Sequence, residues 1–202
     1  MSERREARSG PGRPRDPQLD DQVLRATQEL LVEQGFQATT IQGVARRAGV
    51  VATSIYRRWP NKTHLVEDAI FALDAGVVPQ ATGDIEADLL AWTRLFFTAA
   101  THPAARSGIP GLLSAYHDDE QSYRRLRERG EGLARAGLRA TIDAAIESGQ
   151  ALPGCDPDLI FEFLRGTTLL RALTRGEEDG EQFCRQTAAA LVTLATRHES
   201  TT

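Results

Sequence analysis

Residues 39–65 read TTIQGVARRAGVVATSIYRRWPNKTHL, and this stretch decides the fold. Thr40 offers a hydroxyl cap, after which Ile41, Val44, Ala45 and Ala48 recur at helical spacing as one apolar stripe. Gly49 follows, a residue that closes a helix readily because it tolerates a left-handed backbone. Val50 is apolar and pins the turn to the core. A second helix over about 52–59 turns Ile55 and Trp59 inward at i and i+4, and its other face carries Thr53, Tyr56, Arg57 and Arg58. Pro60 stops that helix and Asn61 caps the next one. The unit is a helix-turn-helix whose second helix is armed to enter a DNA major groove.

Outward from this unit the chain reads as helix throughout. Asp16-Pro17 is a cap followed by a first-turn proline, and Leu19, Val23, Ala26, Leu30 and Leu31 form the apolar face of a helix ending at Gly35. Residues 62–75 continue as a helix with Leu65, Val66, Ala69, Ile70 and Leu73 inward, and 76–83, with Gly76, Pro79 and Gly83, mark a break between domains. An aromatic helix follows over 84–101, ended by His102-Pro103, then a short helix near 109–116 broken at its start by Pro110-Gly111. Asp118-Asp119-Glu120 begins a long polar helix to about Ser148, its acids at the positive end of the helix dipole. Asp156-Pro157 starts another helix to Arg175, interrupted by the small residues Gly166-Thr167-Thr168, and 181–197 form the last. The expected class is all-α. A helix-turn-helix DNA-binding domain of three helices spans 16–76, and a larger helical body spans 84–198.

Charge divides along the same line. The formal net charge of -4 conceals 11 basic and 7 acidic side chains in residues 1–66, net +4, against 13 basic and 21 acidic in 67–202, net -8. A basic head on an acidic body suits a protein that meets phosphate with one end. Residues 1–15 hold five arginines with almost nothing apolar and should be disordered in the free protein. They are either an arm that lays Arg13 and Arg15 along DNA and into a minor groove, or an inert solubilising tail. Of the 24 basic residues only Lys62 is a lysine.

No apolar run approaches the ~18 residues of a membrane span, and the N-terminus lacks the apolar region of a secretory signal, so a cytoplasmic protein is expected. Cys155 and Cys184 make no zinc or redox spacing. His64, His102, His117 and His198 are scattered, without a Cys, Ser or second His at ligand or triad spacing. Adjacent helical residues such as His117, Asp118, Asp119 and Glu120 point in different directions and make a poor metal site. Neither a cofactor nor a metal nor catalysis is expected.

Ile41, Val44-Ala45, Ala48-Gly49-Val50, Ile55-Tyr56, an aromatic at 59, Lys62 and Leu65 together resemble the pattern of tetracycline-repressor-type transcriptional regulators. The resemblance covers roughly residues 17–75; beyond them only length and helical texture agree. It implies a homodimer that binds a pseudo-palindromic operator and represses until a small molecule binds the body. Carried over by position, Thr40, Tyr56 and Lys62 are phosphate contacts, and Thr53 and Ser54 face the groove with Val51 and Ala52 beside them. Arg57 and Arg58 contact base edges or phosphates. Val51 stands where relatives often carry a small polar residue and Arg58 where many carry histidine; Val51 either packs on a thymine methyl or faces away.

In the body the resemblance implies an effector pocket, sought around Trp92, Phe96, Phe97, Leu113, Tyr116, Phe161, Phe163, Leu164, Thr167 and Arg171, with plain core packing the alternative for each. It also implies a dimer interface through helices 156–175 and 181–197, with packing inside one chain as the rival. An activator or ligand-independent regulator of the same fold stays open, as does a helical binding module or enzyme that does not act on DNA.

Overall fold

Local signals place most helices where periodicity puts them. The computed structural model describes residues 17–71, 78–118, 121, 124 and 131–196, and among these are nine α-helices and no strand. The head comprises α1 (Pro17–Ala38), α2 (Ile41–Ala48), α3 (Ala52–Tyr56) and α4 (Lys62–Phe71). Gly35 interrupts α1 with a left-handed φ of 75°. The Thr40 hydroxyl accepts from the Gly43 N–H at 3.0 Å, and Gly49 closes α2 at φ 67°. The helix expected to reach Trp59 ends at Tyr56, yet the Trp59 N–H still donates to the Ile55 carbonyl at 2.8 Å. The chain therefore keeps winding long enough to bury Trp59, whose indole N–H donates to Asp68 at 2.7 Å. Trp59 joins Val23, Leu30, Ile41, Val44, Ile55 and Leu65 in the core of the head. The expected extension of α4 to Ala75 lies outside the described residues.

The body comprises α5 (Ile85–Thr101), α6 (Pro103–Asp118), α7 (Gly132–Glu147), α8 (Pro157–Arg175) and α9 (Gly180–Thr196). Asp84 caps α5 by accepting from Glu86 and Ala87 N–H groups, and Asp156 caps α8 by accepting from Asp158. The body core gathers Leu89, Trp92, Leu138, Ile142, Phe161, Leu164 and Leu191.

Two expectations are corrected in α6. Pro110-Gly111 does not break the chain, because one helix runs from Pro103 through both to Asp118. A proline inside a helix costs about 3 kcal/mol, and here burial of Ala104, Ala105, Ile109 and Leu112 along the same helix offsets it. Asp118 is thus the last residue of α6 rather than the first turn of the next helix; Asp119 and Glu120 lie outside the described residues, Gln121 and Arg124 are helical, and the next helix with described bounds begins at Gly132.

The glycines of α6 are contact points instead. A Cβ on Gly111 would lie 2.2 Å from the Phe36 ring, and one on Gly108 would lie 2.5 Å from Ile70 Cδ1. This close approach seats the head on the body around a third core of Leu31, Phe36, Val66, Ala104 and Leu112.

Candidate nucleic-acid interface and interior cavity

The helix-turn-helix leaves a largely polar set of side chains exposed. Val51 is 66% exposed and Tyr56 44%, so neither is a core residue, and Thr40, Thr53 and Arg57 are exposed beside them. Ala52 and Ser54 are half-buried on the same short helix. Gln42, on the exposed face of α2, donates to the Tyr56 hydroxyl at 3.4 Å and so joins the two helices of the motif. Arg46, one turn further along α2, is exposed and, like Arg57, has no ion-pair partner among the described residues. Sequence reading passed over Gln42 and Arg46, although their i, i+4 spacing opposite Ile41, Val44 and Ala45 is the signal that finds them.

Two expected contacts face elsewhere. Arg58 Nε reaches Asp20 on α1 at 2.6 Å, and its side chain is only 14% exposed, so it ties α3 to α1. Lys62 Nζ donates to the carbonyls of Phe36 at 2.9 Å and Gln37 at 3.4 Å and lies 4.2 Å over the Phe36 ring. It caps the carbonyl end of α1, where a cation is favoured by the helix dipole, and burial lowers its ammonium pKa. Arg13 and Arg15 lie outside the described residues.

Between head and body lies a cavity of about 100 Å³. Its walls come from α4 (Ile70, Phe71), α5 (Leu95, Phe96, Ala99, Ala100), α6 (Ile109, Leu112, Leu113, Tyr116), α7 (Ala134, preceded by Glu131) and α8 (Phe161, Arg165, Thr168, Leu169). Of the residues expected around a pocket, Phe96, Leu113, Tyr116 and Phe161 meet here. Trp92 and Leu164 are buried in the body core, the Trp92 indole donating to Thr141 at 3.0 Å. Phe97 packs on Phe183 with centroids 5.2 Å apart. Phe163, Thr167 and Arg171 lie on the outer side of α8, where Arg171 donates to the Glu178 carbonyl.

One rim of the cavity is ionic. Arg135 reaches Glu131 at 3.1 Å, Glu162 at 2.5 Å and Asp158 at 3.3 Å, and Arg165 reaches Glu131 at 3.2 Å and Glu162 at 2.7 Å. Arg135 also lies 4.1 Å over the Phe161 ring. Burial pushes the Glu162 carboxyl up, but hydrogen bonds from Arg135 and Arg165 outweigh it and hold the pKa below the ordinary value of 4.5. The outer side of α8 is an open apolar groove, with Leu159 48%, Phe163 49% and Leu170 65% exposed around Gly166 and Thr167.

An exposed helix-turn-helix on an all-helical body defines a DNA-binding transcriptional regulator. Residues 23–69 match the family described as bacterial regulatory proteins, tetR family, and residues 79–191 match the tetracyclin repressor-like C-terminal domain. The chain belongs to the tetracycline-repressor family of transcriptional regulators. It is 28% identical over 178 residues to the uncharacterized HTH-type transcriptional regulator YdeS of Bacillus subtilis, covering 86% of this chain and 88% of that one. It is 29% identical over 145 residues to the DNA-binding transcriptional repressor TetR of Mycobacteroides abscessus, covering 69% and 74%. Among solved structures, the TetR family transcription regulator SCO0332 superposes with a TM-score of 0.69 at 30% identity, covering 89% of this chain and all of that one. No helix among the described residues is long and apolar enough to cross a membrane.

Proposed function

We propose that this protein is a ligand-released repressor. Two chains joined through α8 and α9 set two heads on a two-fold axis, and each lays α3 in a major groove of a pseudo-palindromic operator, in the cytoplasm. The head spans 16–76 and the ligand-binding and dimerisation domain 84–198. Thr40, Val51, Thr53, Tyr56 and Arg57 supply the DNA contacts, joined by Gln42 and Arg46 from α2. The half-sites lie one helical turn or a multiple apart, roughly 34–36 Å centre to centre.

The observation that carries this reading is the cavity wall. Ile70 and Phe71 belong to α4, the helix that ends the head, while the other lining residues belong to the body. A molecule in the cavity touches both. The volume of about 100 Å³ is below the ~300–1,000 Å³ of pockets that enclose drug-sized ligands. A larger occupant must therefore push its walls apart, and α4 is one of them. Such a ligand favours a head position that the operator does not, and weakens DNA binding by that coupling energy, typically ~1–3 kcal/mol. The mothballed state of the repressor is then the ligand-bound one.

The test is binding of the full chain to the DNA upstream of its own gene against a scrambled duplex, at two salt concentrations. A preference of about 10³-fold or more that survives added salt is expected of sequence-specific regulation. Equal, salt-sensitive binding to both duplexes would overturn the reading for that site.

A further inference from the structure

Resting on the reading of the cavity as the effector site, we propose that its effector is a compact, mainly apolar anion of the carboxylate or phenolate class, and that Arg165 receives its charge. The lining is mainly apolar. Among the described lining residues only Glu131 and Arg165 carry charge. The Thr168 hydroxyl, which also lines the space, already donates to the Leu164 carbonyl at 2.7 Å. The Tyr116 hydroxyl is the other neutral donor in the lining, and a charged acceptor gains more from the guanidinium than from a neutral hydroxyl.

Exposure decides the sign. The three most buried members of the ionic network are Glu131, Arg135 and Arg165, with side chains 9%, 13% and 23% exposed. That set carries two positive charges and one negative. The balancing acids, Glu162 and Asp158, are 40% and 53% exposed, where water screens them. Glu131 and Arg165 face the cavity and Arg135 stands behind them over the Phe161 ring, so the buried part of the network beside the cavity carries more positive than negative charge among the described residues, and an apolar surround strengthens its field. Positive charge brought to Glu131 would sit beside both arginines, which is unfavourable.

The network also lets Arg165 turn to a ligand without stranding its partners. Glu131 and Glu162 each keep Arg135, at 3.1 Å and 2.5 Å. Breaking a buried pair is costly chiefly when it leaves one charge uncompensated, and here it does not. Phe96 and Phe161 line the same cavity, their rings edge-on with centroids 5.4 Å apart, and favour a flat or compact apolar body behind the anionic group.

The experiment uses three probes that differ only in charge: benzoate, benzyl alcohol and benzylammonium. Each is titrated at neutral pH into the full-length dimer, with binding read by calorimetry. Benzoate is expected to bind about tenfold or more tighter than the alcohol, since a hydrogen bond to a charged group is worth more than a neutral one. That ratio should fall to about one in Arg165→Met and persist in part in Arg165→Lys, with circular dichroism showing each variant folded. Ala99→Phe, which fills the cavity, should abolish binding of every probe. Alcohol or benzylammonium binding as tightly as benzoate would overturn the anion assignment while leaving the cavity as a ligand site. So would a benzoate preference undiminished in Arg165→Met. Failure of all three probes to bind, or binding that survives Ala99→Phe, would overturn the cavity reading and this inference with it.

Discussion

Gly111→Ala adds one methyl group at the seam between head and body, and its consequence can be worked from the contacts. The new Cβ would lie 2.2 Å from Phe36 Cγ and Cδ1 and 2.6 Å from Phe36 Cβ. The ring is not free to swing away. Phe36 is only 9% exposed, Lys62 sits 4.2 Å over its face, and the same ammonium holds the Phe36 carbonyl at 2.9 Å. Overpacking of this kind costs about 1–3 kcal/mol. Alanine's better helix propensity returns at most ~1 kcal/mol. An approach of 2.2 Å belongs at the upper end of the overpacking range, about 2–3 kcal/mol, so the net loss is about 1–2 kcal/mol, or about 2–8 °C in Tm for a chain of this size. Gly132→Ala is the control, since nothing lies within 4 Å of the Cβ it would add; it should be neutral or slightly stabilising. Thermal unfolding of the three proteins at one protomer concentration reads the difference. Equal Tm values for the two variants would refute the claim that α6 touches the head through its glycines.

Arg57 and Arg58 should separate cleanly: Arg57→Ala weakens operator binding by about 1–3 kcal/mol with Tm unchanged. Arg58→Met, which breaks the tie to Asp20, should lower Tm and leave the order of operator preference intact; a relaxed base preference in Arg58→Met would reverse these roles. Leu170→Glu puts a charge on the apolar outer face of α8, and light scattering should show the dimer converted to monomer with its helicity retained, an unchanged mass excluding this face as the interface. Because the Glu162 pKa lies below 4.5, its pairing contributes fully above that value and is lost as the pH falls through the lowered one. The stability gap between wild type and Glu162→Gln should therefore be constant above about pH 5.5 and close in acid, and a gap independent of pH would assign the effect to packing.

The helix-turn-helix was legible because its signals are local. Thr40, Gly49 and the stripe of Ile41, Val44 and Ala45 all lie within ten residues, and each does in the fold what its chemistry suggests. Pro110-Gly111 misled for the opposite reason. The dipeptide is a turn signal on its own, but Phe36, Leu31 and Ile70 approach α6 from the head, and their positions cannot be read from residues near 110. The same limit applied to Arg58 and Lys62, whose partners Asp20 and Phe36 are distant in sequence. In the aromatic helix, Trp92, Phe96 and Phe97 are alike in character and spacing, yet only Phe96 lines the cavity. One residue is 100° of helix rotation, and where a void opens around that helix depends on how four others pack.

Lys62 being the only lysine in the 202 residues gives the seam a built-in chemical reporter. Its amine is held against two carbonyls and an aromatic face, so its reaction with an amine-selective reagent should quicken when α4 parts from the end of α1. Mass added at this one side chain, followed over time with and without operator or effector, would report how often the head loosens, with no label engineered into the protein.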